Sequence, residues 1–141
     1  MLQKIIIMLF LIAIPTNFIA QNHFTVEVTD LVSDKGSVYF GLYNKKRGFL
    51  NDGVTIANAK VKTTGNRVSY TFKNLPVGEY AVAVYQDVNN NGKCDRNMIG
   101  YPIEGFGFSR NYRPKLSAPN FDEVKIAINQ STRTSISLVS K

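Results

Sequence analysis

The run Asp87-Val88-Asn89-Asn90-Asn91-Gly92-Lys93-Cys94-Asp95 gathers oxygen-bearing side chains at a spacing that suits a cation. With Asp87 as position one, oxygens fall at one, three, five and nine, and glycine falls at six. Those are the offsets of the D-x-[DN]-x-[DN]-G calcium loop. A hard cation such as Ca2+ takes about six to eight oxygens at about 2.3–2.6 Å, and glycine at six permits the turn that folds them around one point. Asp87 and Asp95 would bring formal charge, Asn89 and Asn91 side-chain carbonyls, and Lys93 its main-chain carbonyl. Position twelve is Met98 instead of the usual bidentate Glu, so Glu104, Asp122 or Glu123 would have to complete the shell. Two charged ligands in the loop predict weak binding, near the millimolar range of extracellular modules. The competing reading is an Asx-rich turn that needs no metal, because Asn, Asp and Gly form turns unaided. Cys94 falls where such loops place an apolar anchor, and reads as a small buried hydrophobe.

Other chemistries find little to work with. His23 is the only histidine and stands at the ragged start of the mature chain, a poor position for a catalytic base. One His and one Cys do not make a zinc site. A nucleophilic Cys94 would need a depressed pKa, which nothing in the sequence suggests. The expectation is therefore a protein that is not an enzyme. The alternative is an enzyme acting on envelope carbohydrate through acids of the 87–122 stretch, such as Asp87, Asp95 and Glu104. That alternative predicts two carboxylates about 5–9.5 Å apart in an open cleft. The cation reading turns the same acids toward one centre. The run from Gly105 to Phe108 would either offer rings to a sugar or peptide or pack under the loop, and packing is the favoured reading.

The elements that must position these residues are strands. Phe24, Val26 and Val28 alternate with Thr25, Glu27 and Thr29; Val38, Phe40 and Leu42 alternate with Ser37, Tyr39 and Gly41. The same period of two recurs at Val68-Tyr70-Phe72, Tyr80-Val82-Val84, Val124-Ile126-Ile128 and Ile136-Leu138, and more weakly over 57–62. Turn residues separate them at 33–36, 63–66 and 129–131. The spacing Leu75-Pro76-x-Gly78-x-Tyr80 is that of a tyrosine corner, with an ordinary Pro-Gly turn as the plainer reading. Gly78 allows a positive φ there. The sum is an all-β, seven-stranded Greek-key β-sandwich. A long ordered excursion, Asp87 to Asp122, separates its fifth and sixth strands and is held by its aromatics and glycines.

Residues 1–20 read as a signal peptide: Lys4, an uncharged apolar run from Ile5 to Ile14, a break at Pro15 and a small Ala20 at the cut. The run is short for a membrane span, and an uncleaved anchor is the alternative. Residues 21–141 then form one domain, periplasmic or secreted, with no stable membrane span after cleavage. The formal charge of +7 is scattered apart from Lys45-Lys46-Arg47, which argues against nucleic acid and leaves weak attraction to anionic surfaces. Cys94 is alone, so no internal disulfide supports the fold.

Phe72-x-x-Leu75-Pro76-x-Gly78-x-Tyr80-Ala81-Val82 runs into Asp87-x-Asn89-x-Asn91-Gly92-x-x-Asp95, then Gly100 to Ser109 and Pro119-Asn120-Phe121-Asp122. This order resembles the bacterial domain of unknown function 2141. Its L-P-x-G-x-Y portion is also similar to transthyretin-like and collagen-adhesin B-type sandwiches. Val88 departs from the acidic residue expected beside the loop. The resemblance implies an exported β-sandwich of the envelope and implies no activity. The partner expected is an envelope carbohydrate or protein. The sequence carries no marker of oligomeric state.

Overall fold

The computed structural model describes residues 21–140. The expected signal peptide lies outside the described residues. Eight strands run β1 (Asn22–Thr29), β2 (Ser37–Tyr43), β3 (Ala57–Lys62), β4 (Val68–Leu75), β5 (Gly78–Asp87), β6 (Phe106–Phe108), β7 (Ile126–Ile128) and β8 (Thr132–Ser137). One short helix, α1, spans Phe121–Val124. The strands form two sheets, β4-β1-β8 and β3-β2-β5-β6, with β7 pairing β5. The chain is thus a β-sandwich with one strand more than the alternation predicts. The additional strand, β6, is a three-residue piece of the excursion added to β5 at Ala83–Tyr85.

The period of two explains the inner faces. Phe24, Val26 and Val28 have no exposed surface while Thr25, Glu27 and Thr29 are half-buried. Val38, Phe40 and Leu42 face them from β2, and Val82, Val84, Phe72, Tyr80, Ile128, Ile136 and Leu138 complete one core. Tyr70 and Ile126 are partly buried against it. Each fully buried Phe, Leu, Ile or Val contributes about 1.5–3 kcal/mol relative to exposure, which is how the fold does without a disulfide. β1 lies at the centre of its sheet, antiparallel to β4 and parallel to β8.

The expected turns fall where the residues place them, but none closes a hairpin. The segments at 33–36, 63–66 and 129–131 each carry the chain from one sheet to the other. Tyr80 makes the corner bond, its hydroxyl donating to the Pro76 carbonyl at 2.8 Å. The positive φ in that corner belongs to Asn74 (58°), not to Gly78. Val124 closes α1 instead of opening a strand, because Asn120 and Glu123 form a reciprocal capping box that nucleates one helical turn. His23 lies within β1, not at a loose end.

The excursion builds a second core on the outer face of the larger sheet. Phe106, Phe108, Phe121 and Val124 pack there with Tyr43 and Ala81. β6 approaches β8 so closely that a Cβ on Gly107 would stand 2.4 Å from Ile136 Cγ2. Only glycine fits. Ser109, fully buried, donates to the Val124 carbonyl at 2.6 Å and accepts from the Val82 amide at 2.9 Å, tying the excursion to β5 and α1.

Candidate cation-binding loop

The loop starts at the last residues of β5, which hold it rigidly. Gln86 has no exposed surface and clamps the β1–β2 arch. Its Oε1 accepts from Val32 N at 2.8 Å, and its Nε2 donates to the carbonyls of Ser33 and Lys35 at 2.7 and 3.1 Å. Asp87 is also fully buried, and its carboxylate turns into the loop. Oδ1 accepts from Asn91 N at 3.0 Å and Oδ2 from Gly92 N at 2.8 Å. Gly92 adopts φ 79°, the left-handed value that position six requires.

The remaining loop oxygens and amides close on one another. Asn89 Oδ1 accepts from Asn91 N at 3.1 Å, and Asn91 Oδ1 from Lys93 N at 2.9 Å. Asn89 Nδ2 donates to Asp95 Oδ2 at 2.8 Å, and Asn91 Nδ2 reaches both Asp95 oxygens at 2.9 Å. Those two amides hold the Asp95 carboxyl below the usual carboxylate range, Asn91 contributing most. Glu104 arrives from the far side of the excursion and staples the ends of the loop. Its Oε1 accepts from Val88 N and its Oε2 from Asp95 N, each at 3.1 Å.

Asp87, Asn89, Asn91 and Asp95 lie together with Lys93 in the same turn, and Glu104, one of three acids within reach, joins them from the far side of the excursion. Asp122 and Glu123 do not. Asp122 pairs with Lys46 and Lys125, and Glu123 caps α1 and accepts from the Tyr112 hydroxyl at 3.1 Å. Both are spoken for by the outer core. Met98 is fully exposed and contributes nothing to the loop. Among the described residues no group of three or more His, Cys, Asp or Glu side chains is placed to hold a metal. An ion here would need amide and main-chain oxygens beside the carboxylates, with Asn89 and Asn91 turned half a revolution about the last torsion. Cys94 is half-buried, and burial pushes its thiol up to about 11, so it carries no nucleophile. Tyr85 borders the loop, its hydroxyl 3.4 Å from the Gly92 carbonyl and its ring stacked on Tyr39 at 4.9 Å. The Gly105–Phe108 run is buried and presents no rings to solvent. An open cleft between β3 and β4 is lined by Ala57, Tyr70, Thr71, Phe72, Lys73 and Leu75 and carries no carboxylate.

Gln86 and Ser109, which fix the loop and the excursion, escape sequence reasoning because a lone Gln or Ser has no spacing signature. Glu104 is legible only as one of several acids within reach.

Over the described residues, fold and loop together define a β-sandwich with an Asx-rich loop at the end of its longest strand. The profile of the family described as "Uncharacterized protein conserved in bacteria (DUF2141)" matches residues 26–137, and the chain belongs to that family. No curated protein and no solved structure matches it.

Proposed function

We propose that this is a non-catalytic binding or adhesion module of the bacterial envelope, exported by its N-terminal segment, whose 87–104 loop takes up Ca2+. The ligand set is Asp87, Asn89, Asn91, the Lys93 carbonyl, Asp95 and Glu104. The observation that carries this reading is the convergence of Asn89 and Asn91 on the Asp95 carboxylate, beside a buried Asp87, at calcium-loop offsets. Two amide donors aimed at one carboxylate mark a point of negative potential. A cation fills the same point once the amides present oxygen. The hydrogen-bond ladder from Asp87 to Asp95 favours a second reading, a turn complete without metal. The carbohydrate-enzyme alternative draws less support, because Asp87 has no exposed surface and Glu104 is engaged by two backbone amides.

Calorimetric calcium titration and thermal melts of residues 21–141 separate the readings. At about one hundred times the dissociation constant, binding stabilises by about 2.7 kcal/mol, a rise of several degrees that chelation reverses. Magnesium substitutes poorly because it demands a tight octahedron. Asp95→Asn removes one formal charge and is expected to abolish the rise. A wild-type melt indifferent to calcium up to about tens of millimolar leaves only the turn.

A further inference from the structure

The two sides of the sandwich are closed differently. On one side the sheets are joined by backbone: Phe106 N donates to the Val139 carbonyl at 3.1 Å, and Val139 N to the Phe106 carbonyl at 2.7 Å. On the other side the sheets end at β3 and β4. Each pairs along one edge only, β3 with β2 and β4 with β1. Among the described residues no backbone hydrogen bond joins β3 to β4. The outer edges of both strands therefore face an opening, and unpaired strand edges are a template for one more strand.

The opening continues inward as the cleft lined by Ala57, Tyr70, Thr71, Phe72, Lys73 and Leu75, with a volume of about 460 Å³. All but Ala57 belong to β4, so the cleft follows the free edge of that strand. It exists because β3 turns only Ala57, Ala59 and Val61 inward. These short side chains stay half-buried, whereas their partners on β2, Leu42, Phe40 and Val38, are sealed. The rim sets the chemistry of the occupant. β3 carries Lys60 and Lys62 and β4 carries Lys73, all exposed, and neither strand has an acid. Arg67, just before β4, pairs with Glu27 at 3.8 Å. The Asp87 carboxylate acts on Lys60 but is buried and turned into its own loop. With Arg67, Glu27 and Asp87 counted, four cations stand against two carboxylates. Two copies of such an edge repel each other, which argues against a second copy of this chain as the added strand.

We infer that this opening takes an extended acidic segment of a partner protein, which adds to β4 as a further strand. Its alternate apolar side chains enter the cleft, and its Glu or Asp side chains stay outside in the field of Lys73, Lys60 and Lys62. The inference gives the binding module proposed above its partner surface and rests on that reading. It stands on the strand edges and not on the calcium loop, so its test is run in chelator.

Residues 21–141 are titrated into fluorescein-labelled synthetic peptides the length of β4. One alternates Glu with Val and a second alternates Lys with Val. A third is the Glu peptide with a central Pro-Pro pair, which removes a ladder N–H whichever edge it presents. Anisotropy is expected to show binding of the first alone, weakening as salt rises. Amide exchange in the complex is expected to slow over Val68–Leu75 and to stay unchanged over Thr132–Ser137. Lys62→Glu with Lys73→Glu is expected to bind the Glu peptide about tenfold more weakly or worse while melting like wild type, because both side chains are exposed. Arg133→Glu reverses an exposed charge on the opposite edge of the smaller sheet and is expected to bind like wild type. No binding of the Glu peptide, equal binding of the Lys or Pro-Pro peptide, or equal loss in Arg133→Glu overturns the inference. So does a concentration-dependent dimer that slows exchange over Val68–Leu75, since the edge would then belong to a second copy of the chain. The calcium melt is read separately, so failure here is distinct from failure of the loop reading.

Discussion

Replacing Asp87 by alanine tests whether the loop is held by its first residue even without metal. The carboxylate has no exposed surface and accepts from Asn91 N at 3.0 Å and Gly92 N at 2.8 Å. Bonds to a charged acceptor are worth about 1.5–3 kcal/mol each. Two effects reduce the total. Asn91 and Gly92 lie in the exposed part of the loop, so water can take up their amides. Removing a buried carboxylate also removes its desolvation cost. The net loss is about 2 kcal/mol, which for a domain of this size lowers the melting temperature by roughly 6–10 °C. Asp87→Asn keeps one acceptor and turns an amide donor toward the other N–H, so it is expected to lose nearly as much. The assay is thermal and urea unfolding of residues 21–141 in chelator, followed by circular dichroism. A loss below about 0.5 kcal/mol for both variants would refute the reasoning, since it would mean that the loop stands without its buried acceptor.

Phe72 is 4 % exposed in the inner core, so Phe72→Ala is expected to cost about 3–5 kcal/mol in urea unfolding. Cys94, its thiol raised to about 11 by burial and by the carboxylates of Glu104 and Asp95 against Arg96, is expected to alkylate far more slowly than a free thiol at about pH 8. Asp95 has a folded pKa depressed by the Asn91 and Asn89 amides. Its contribution to stability is therefore present above the unfolded value of about 3.9 and is lost as pH falls through the folded value. The urea-midpoint advantage of wild type over Asp95→Asn is expected at about pH 5 and shrinks as pH falls below the unfolded value.

The strands and the loop were legible in the chain because both are local. Alternation at Phe24-Val26-Val28 reports a half-buried strand whatever it pairs with, and the offsets from Asp87 to Asp95 are a property of one turn. The tyrosine corner is local in the same way, with donor and acceptor four residues apart. The turn residues at 33–36, 63–66 and 129–131 marked reversals, but turn chemistry does not distinguish a hairpin from an arch between sheets.

What the tertiary structure alone decided are relations across long separations. β8 lies parallel to β1, Phe106–Phe108 joins the larger sheet, and Glu104 instead of Asp122 or Glu123 closes the loop. Each depends on which surfaces remain to be covered after the strands pair. The outer face of β2 and β5 was left apolar, and the excursion folded onto it. That packing took Asp122 and Glu123 to Lys46, Lys125 and the α1 cap, and left Glu104 beside Val88 and Asp95. Sequence spacing records which residues are neighbours along the chain, whereas burial of the second core determined which carboxylate met the loop.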